Sequence, residues 1–377
     1  TVSDYGEVGW SEEEFEEVKK ELDKKGFEIE RIYPLTAMQE GMLFHEITDS
    51  GLSKYTVQTA YLLNNELDLN AFEKSLQLLS KRLEALRTSF MYTKVSEPCQ
   101  ILLKDKKIEC SFMDFTYEDE ETRKELIEEV LESDLNQKFN LEDGNTFRVK
   151  VIKLEHDKSV LIISFHHIIM DGWCMSLLLK EMQACYTDIL KTSTETHVIV
   201  QKGLFEKYVY DRRDKDQLSA KKYWERLLDG YDTDTQIRGE KSSTYGKEKI
   251  ETVSVAISDN LSQNLVEISK KLGVTVNTVL ETAWALLLQG YSVSDDVVFG
   301  KVVSGRNTKL SNINNLVGLC INTIPVRVKS ELAMSVEELL VYVQNQALDS
   351  EKYDYYPLAE IQQMCNNSNL ISSIIAF

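Results

Sequence analysis

The sequence predicts a two-lobed protein of mixed α/β class, and three observations carry that reading. At 377 residues the chain exceeds what a single hydrophobic core usually organises. Short apolar strand-like runs and helix-spaced apolar runs occur in both halves. Between them, from about Lys191 to Lys247, the chain turns polar through the stretches KTSTETH, DRRDKDQ and GEKSSTYGKEK. The expected organisation is a helix within 1–30, one lobe over 31–190 and a second over 191–377. Because the chain ends on the apolar run NLISSIIAF, the second lobe is expected to be incomplete.

The elements follow in order. SEEEFEEVKKELDKKG reads as an acidic surface helix, with Ser11 and Glu14 as a capping box, Phe15, Val18 and Leu22 on one face, and Gly26 as the stop. In NAFEKSLQLLSKRLEALRTSF, Phe72, Leu76, Leu79, Leu83 and Leu86 fall at spacings of four and three, which predicts a helix with one apolar face leading into the strand-like FMYTKV. SVLIISF is a strand covered on both faces. After it the period changes: Leu178, Met182, Cys185 and Ile189 predict a helix. In the second half, IETVSVAI alternates like a strand, while DNLSQNLVEISKKLG and TVNTVLETAWALLLQGY read as helices. DVVFGKVVSGR and CINTIPVRV read as strands, and MSVEELLVYVQNQALD is a helix capped by Ser335 and Glu338.

Composition narrows the function. Apolar residues at 42% and charged residues at 28% fit a globular protein. No apolar run is long enough to span a membrane, and the first residues lack a basic, apolar leader, so a cytoplasmic location is expected. The net charge of −19 opposes sequence-independent phosphate-backbone binding, so no nucleic-acid partner is expected. The six cysteines are scattered without a CxxC, which argues against a zinc site or a disulfide framework.

The chemistry concentrates in SFHHIIMDGW, Ser164–Trp173, which holds two of the five histidines at a strand-to-helix junction. Successive strand side chains point to opposite faces, so an extended His166 and His167 cannot converge on one metal ion. No metal site is expected. One imidazole could instead face a cavity and exchange a proton near neutral pH while the other packs inward. Asp171 stands where a helix begins and suits an N-cap, and Gly172 would permit close approach of a backbone or substrate. On residue chemistry alone, a catalytic histidine and a purely structural pair remain near balance.

Further motifs shift that balance. HHIIMDGW resembles the HHxxxDG signature of condensation domains of nonribosomal peptide synthetases. YPLTAMQEGMLFH (Tyr33–His45) resembles that family's first motif and KRLEALRTSF (Lys81–Phe90) its second. VVSGR (Val302–Arg306) and VGLCINTIPVRV (Val317–Val328) resemble a later one. The matches occur in family order over most of the chain. The resemblance implies two chloramphenicol-acetyltransferase-like lobes set in a V around a central tunnel. It implies an acyltransferase that joins an upstream donor thioester to the amine of a downstream acceptor thioester. Both would arrive on 4′-phosphopantetheine arms of carrier proteins, beside an adenylation domain, with no cofactor bound to this domain itself. By position it makes His167 the catalytic residue and assigns His166, Asp171, Gly172 and Arg306 to supporting the site, with Arg306 as the expected partner of Asp171. Arg87, Asn322 and Trp173 fall near the tunnel, and residues 1–30 become a linker helix from an upstream carrier domain.

Departures also appear. FEKYVYD places Lys207 and Asp211 where the family's fourth motif carries other residues, YDYYPLAE matches the sixth only loosely, and the last motif is not recognisable. MQEGMLFH and HHIIMDGWC look like the subtype that accepts a D-configured donor. The alternatives on the same scaffold are an epimerisation domain and a non-catalytic partner-recruiting domain. The intact histidine pair and the Trp173-Cys174 continuation favour condensation.

Overall fold

The computed structural model describes all residues except 49–54, 192–201, 234, 236–251, 332, 366 and 368. The chain divides into two compact units: Thr1–Asp214 with Thr308–Cys320, and Lys215–Asn307 with Ile321–Phe377. The first unit therefore runs past residue 190 and takes a segment from the expected second lobe. Of the polar stretch that suggested a boundary, KTSTETH beyond Lys191 and all of GEKSSTYGKEK lie outside the described residues. DRRDKDQ, which is described, ends one helix and caps the next, and the division between the units falls within it.

The first unit contains β1 (Ile29–Pro34), β2 (Thr56–Leu63), β3 (Thr88–Met91), β4 (Cys99–Leu103), β5 (Glu109–Asp114), β6 (Phe147–Glu155) and β7 (Lys158–His166). Its helices are α1 (Glu12–Lys24), α2 (Ala37–Thr48), α3 (Leu69–Arg82), α4 (Glu120–Asn136), α5 (Cys174–Leu190) and α6 (Leu204–Arg213). One sheet has the order β1-β4-β3 and the other β2-β7-β6-β5. The capping box Ser11/Glu14 opens α1 as expected. The apolar face of α1 is no mere surface contact: Phe15, Val18 and Leu22 are buried in one core cluster with Ile32, Ile101 and Leu103. The stripe Phe72, Leu76 and Leu79 is buried on α3, but Leu83 caps the helix and Leu86 falls in a following 3-10 turn.

β7 is an inner strand of the β2-β7-β6-β5 sheet. Its nine residues pair antiparallel with β2 on one side and β6 on the other, and all but Lys158 are buried. A strand covered on both faces must be apolar on both, which is why SVLIISF shows no alternation. Beneath its end, the α4 carboxylate of Asp134 is fully buried. It accepts from Arg148 Nε at 2.8 Å, Gln58 Nε2 at 2.8 Å and the Ser164 hydroxyl, with Lys150 Nζ at 3.1 Å. Burial pushes this carboxyl up, but the hydrogen bonds from Arg148, Ser164, Gln58 and Lys150 outweigh it and hold the pKa at about 2.

The second unit holds α7 (Gln217–Leu228), α8 (Asp259–Leu272), α9 (Val276–Ser292), α10 (Val336–Ser350) and α11 (Leu358–Met364), with β8 (Asp296–Val303), β9 (Asn322–Lys329) and β10 (Ile374–Ile375). The sheet order is β10-β8-β9. Alternation along β8 sends Val297 and Phe299 to one core with α9 and α10, and Val298 to another with α7 and α11. The structure corrects the expected strand IETVSVAI. Its first two residues are outside the described ones. Residues 252–257 form no strand, and Val253, Val255 and Ile257 are exposed. Alternation makes a strand only where an edge is available to pair with, and here none among the described residues does so.

Candidate active site

The two histidines have different surroundings because β7 ends between them. His166 is the last strand residue and His167 the first of a single 3-10 turn, His167–Ile169. His166 is fully buried. Its Nδ1 accepts the Ile168 N–H at 3.1 Å, so its proton sits on Nε2, which faces Glu46 Oε2 at 3.6 Å. The Tyr55 and Phe139 rings flank it. This is a histidine bracing a turn.

His167 donates its backbone N–H to the Tyr55 carbonyl at 2.8 Å, and its ring is only part-buried. Its Nδ1 is closed off from solvent. Burial lowers the imidazole below its ordinary 6.5, against the opposing pull of its own backbone carbonyl and the Asp171 carboxylate, and the neighbouring His166 lowers it further. The ring is therefore neutral at pH 7.

Asp171 is also buried, but it does not cap α5 as the sequence suggested. Trp173 occupies the N-cap and makes no side-chain cap bond. The Asp171 carboxylate instead spans two chain segments. Oδ1 accepts from Cys174 Sγ at 3.3 Å, and Oδ2 accepts the Cys320 N–H at 2.9 Å. Cys174 Sγ also lies 3.3 Å from the Gly318 carbonyl and accepts the Gly318 N–H at 3.4 Å. Trp173, half exposed, donates from Nε1 to the Asn314 carbonyl at 3.1 Å. So the Thr308–Cys320 segment is tied to the residues that follow the histidines. A Cβ at Gly172 would meet no described atom within 4 Å, so the fold itself does not require glycine there.

Arg87, Asn322 and Arg306, the other expected site residues, each have partners within their own unit. Arg87 is 3% exposed and its partners are internal: Glu30 Oε2 at 2.6 Å, the Leu103 carbonyl, and Glu84 at 3.9 Å. Asn322 belongs to the second unit. It opens β9 and donates from Nδ2 to the carbonyls of Asp354 at 2.7 Å and Tyr356 at 3.0 Å. Arg306 is in the second unit too, where its N–H donates to Ser304 Oγ at 3.3 Å. Among the described residues no group of three His, Cys, Asp or Glu side chains is placed to hold a metal, and no helix is long and apolar enough to cross a membrane.

Sequence reasoning missed Gln39, Glu46, Cys174 and Cys320 as members of this site. The last three carry no local signal. Gln39 does: Thr36 and Gln39 have the spacing of a capping box.

A strand running into a histidine turn, backed by a buried aspartate, coincides with a family-wide match. The condensation-domain family model matches residues 29–377. The chain belongs to the condensation-domain family. Over its whole length it is 36% identical to part of bacitracin synthase 1 of Bacillus licheniformis, covering 7% of that protein. Over 93% of its length it is 39% identical to part of the mycosubtilin synthase of Bacillus subtilis, covering 13% of the matching polypeptide. The chain thus spans about a tenth of such curated relatives. In fold, it matches the first condensation domain of the calcium-dependent antibiotic synthetase, solved with a substrate analogue. The TM-score is 0.72 at 15% identity, covering 92% of this chain and 80% of that one. It also matches the X-domain of teicoplanin biosynthesis solved with OxyB, with a TM-score of 0.75 at 20% identity, covering 89% and 74%. This condensation domain is of the nonribosomal peptide synthetase kind, an acyltransferase-type enzyme that forms peptide bonds.

Proposed function

We propose that His167 serves the attacking amine in this condensation domain. The observation that carries the reading is a neutral, part-buried imidazole whose Nδ1 is sealed, at the mouth of a turn fixed by its neighbours. The acceptor amine attacks the donor thioester carbonyl with its nitrogen lone pair. Its proton passes to Nε2 of His167, and the collapsing intermediate expels the thiolate of the donor arm, which takes that proton. A C–N bond forms, a C–S bond breaks, and the chain moves to the acceptor. Asp171 holds the turn and favours the protonated ring through its charge, with Arg306 as its proposed partner and His166 as the brace. Gly172 leaves room beside the turn, and the resemblance supports Trp173, Arg87 and Asn322 as substrate-tunnel residues.

The wider setting is part of this proposal. Donor and acceptor arrive on 4′-phosphopantetheine arms of carrier proteins, within a longer synthetase that includes an adenylation domain, in the cytoplasm. The motifs MQEGMLFH and HHIIMDGWC support a D-configured donor. The test loads paired D- and L-donor carriers against one acceptor carrier and reads product by intact-protein mass spectrometry. Wild-type protein should favour the D-donor, and His167→Ala should lose most product. Near-native turnover by folded H167A overturns the catalytic assignment, and preference for the L-donor overturns the stereochemical one.

A further inference from the structure

The His167 turn is held by a helix that the reaction scheme does not use. α2 opens on a capping box: the Thr36 N–H donates to Gln39 Oε1 at 2.9 Å, and the Gln39 N–H donates to Thr36 Oγ1 at 3.3 Å. Gln39 is fully buried. Because its Oε1 is occupied by a donor, its Nε2 must face the other way. There it meets two acceptors, the Ile168 carbonyl at 3.0 Å and Gln100 Oε1 at 3.0 Å. Gln100, also buried, passes its own Nε2 to the Pro34 carbonyl at 3.0 Å. Neither amide can be reversed. Turning Gln39 over would set its oxygen against two acceptors and its NH2 against a donor.

Among the described residues, three bonds from outside the 3-10 turn thus reach the backbone of His167 and Ile168. The His167 N–H goes to Tyr55, the Ile168 N–H to His166, and the Ile168 carbonyl to Gln39. Two of these come from the strand and its pairing partner segment. The third comes from α2 alone.

We propose that Gln39 is a positioning residue for condensation, aiming the His167 ring through the Ile168 carbonyl, with Gln100 anchoring it to β1. This rests on the reading of His167 given above. Its mechanism is orientation, for which a misplacement of about 1 Å costs roughly 10²-fold in rate. Gln39→Met keeps the length and removes both donors.

The experiment measures condensation of loaded carriers by wild type, Q39M, Gln100→Met and H167A. It also records the histidine ring resonances of each protein after ¹³C-histidine labelling, with His167 assigned by its absence in H167A. Folded Q39M is expected to lose about 10²-fold in kcat with unchanged KM for both carriers. Its His167 resonance should move while that of exposed His156 stays. Gln100→Met should shift both readouts in the same direction by less, and it stands in as the test if Q39M does not fold. Wild-type kcat with an unmoved His167 resonance, in Q39M or in a Gln100→Met standing in for it, overturns the proposal. If H167A itself keeps its turnover, the reading of His167 falls. The ring resonance still decides whether Gln39 holds the turn.

Discussion

Cys320 donates its backbone N–H to the Asp171 carboxylate at 2.9 Å, across 149 residues of chain. With the Cys174 thiol on the other oxygen, both ends of this buried carboxylate are used inside the first unit. The family aspartate is therefore a clasp between the start of α5 and a distant segment.

Replacing Asp171 by Asn tests the clasp and the electrostatics together. An amide offers one acceptor where two donors converge, so one buried donor is left facing an NH2 group at a cost of about 1–3 kcal/mol. The lost charge also removes a pull that raises the His167 pKa. In wild type, condensation should rise with pH with its midpoint below the ordinary 6.5, because burial lowers the ring and the neutral form acts. In D171N the inflection should move to still lower pH, with a lower melting temperature. Stability follows the same sign. Below 6.5 the unfolded chain binds a proton that folded His167 resists, so this residue's contribution is lost as pH falls. A pH–rate profile and a melting curve check both.

Asp134 should dominate acid sensitivity under β7. Its folded pKa of about 2 lies below the unfolded value, so its stabilisation is present above roughly pH 4 and is lost as pH falls toward 2. Asp134→Ala strands Arg148 and Lys150 in a buried site and should cost about 3–5 kcal/mol in urea unfolding. The variant should also show a flatter stability profile between pH 4 and pH 2 than wild type.

Gly318 faces a ring rather than a turn. A Cβ there would sit 2.4 Å from Cδ2 of Phe205, whose ring is stacked on Tyr208 at 5.9 Å and has little room to retreat. Gly318→Ala should destabilise by about 1–3 kcal/mol through overpacking. Adding Phe205→Leu should restore part of that loss, as a thermal-denaturation double-mutant cycle would show. Strict additivity would refute the contact.

Local rules were legible where local physics decides. The capping boxes at Ser11/Glu14 and Ser335/Glu338, the stripe on α3 and the doubly buried β7 all follow from spacing. His166 and His167 also differ in surroundings as expected, although the cause is the strand ending between them rather than plain alternation along it. What stayed hidden depends on distant chain. Asp171 looked like a cap because its partner Cys320 is 149 residues away. The resemblance alone places Arg87 near a tunnel, and only β1 and β4 reveal its internal partners. Residues 252–257 alternate convincingly, yet pairing decides strands, and nothing described pairs with them.

The membership of Thr308–Cys320 in the first unit has a consequence for vectorial synthesis. A fragment ending at Asp214 would lack Leu316, Gly318 and Cys320, and would leave the thiol of Cys174 and the carboxylate of Asp171 without these partners. On the ribosome the same condition holds for the time needed to add the intervening residues, roughly five to twenty seconds at ordinary elongation rates. The histidine turn can form early, but its clasp closes only after most of the second unit has emerged.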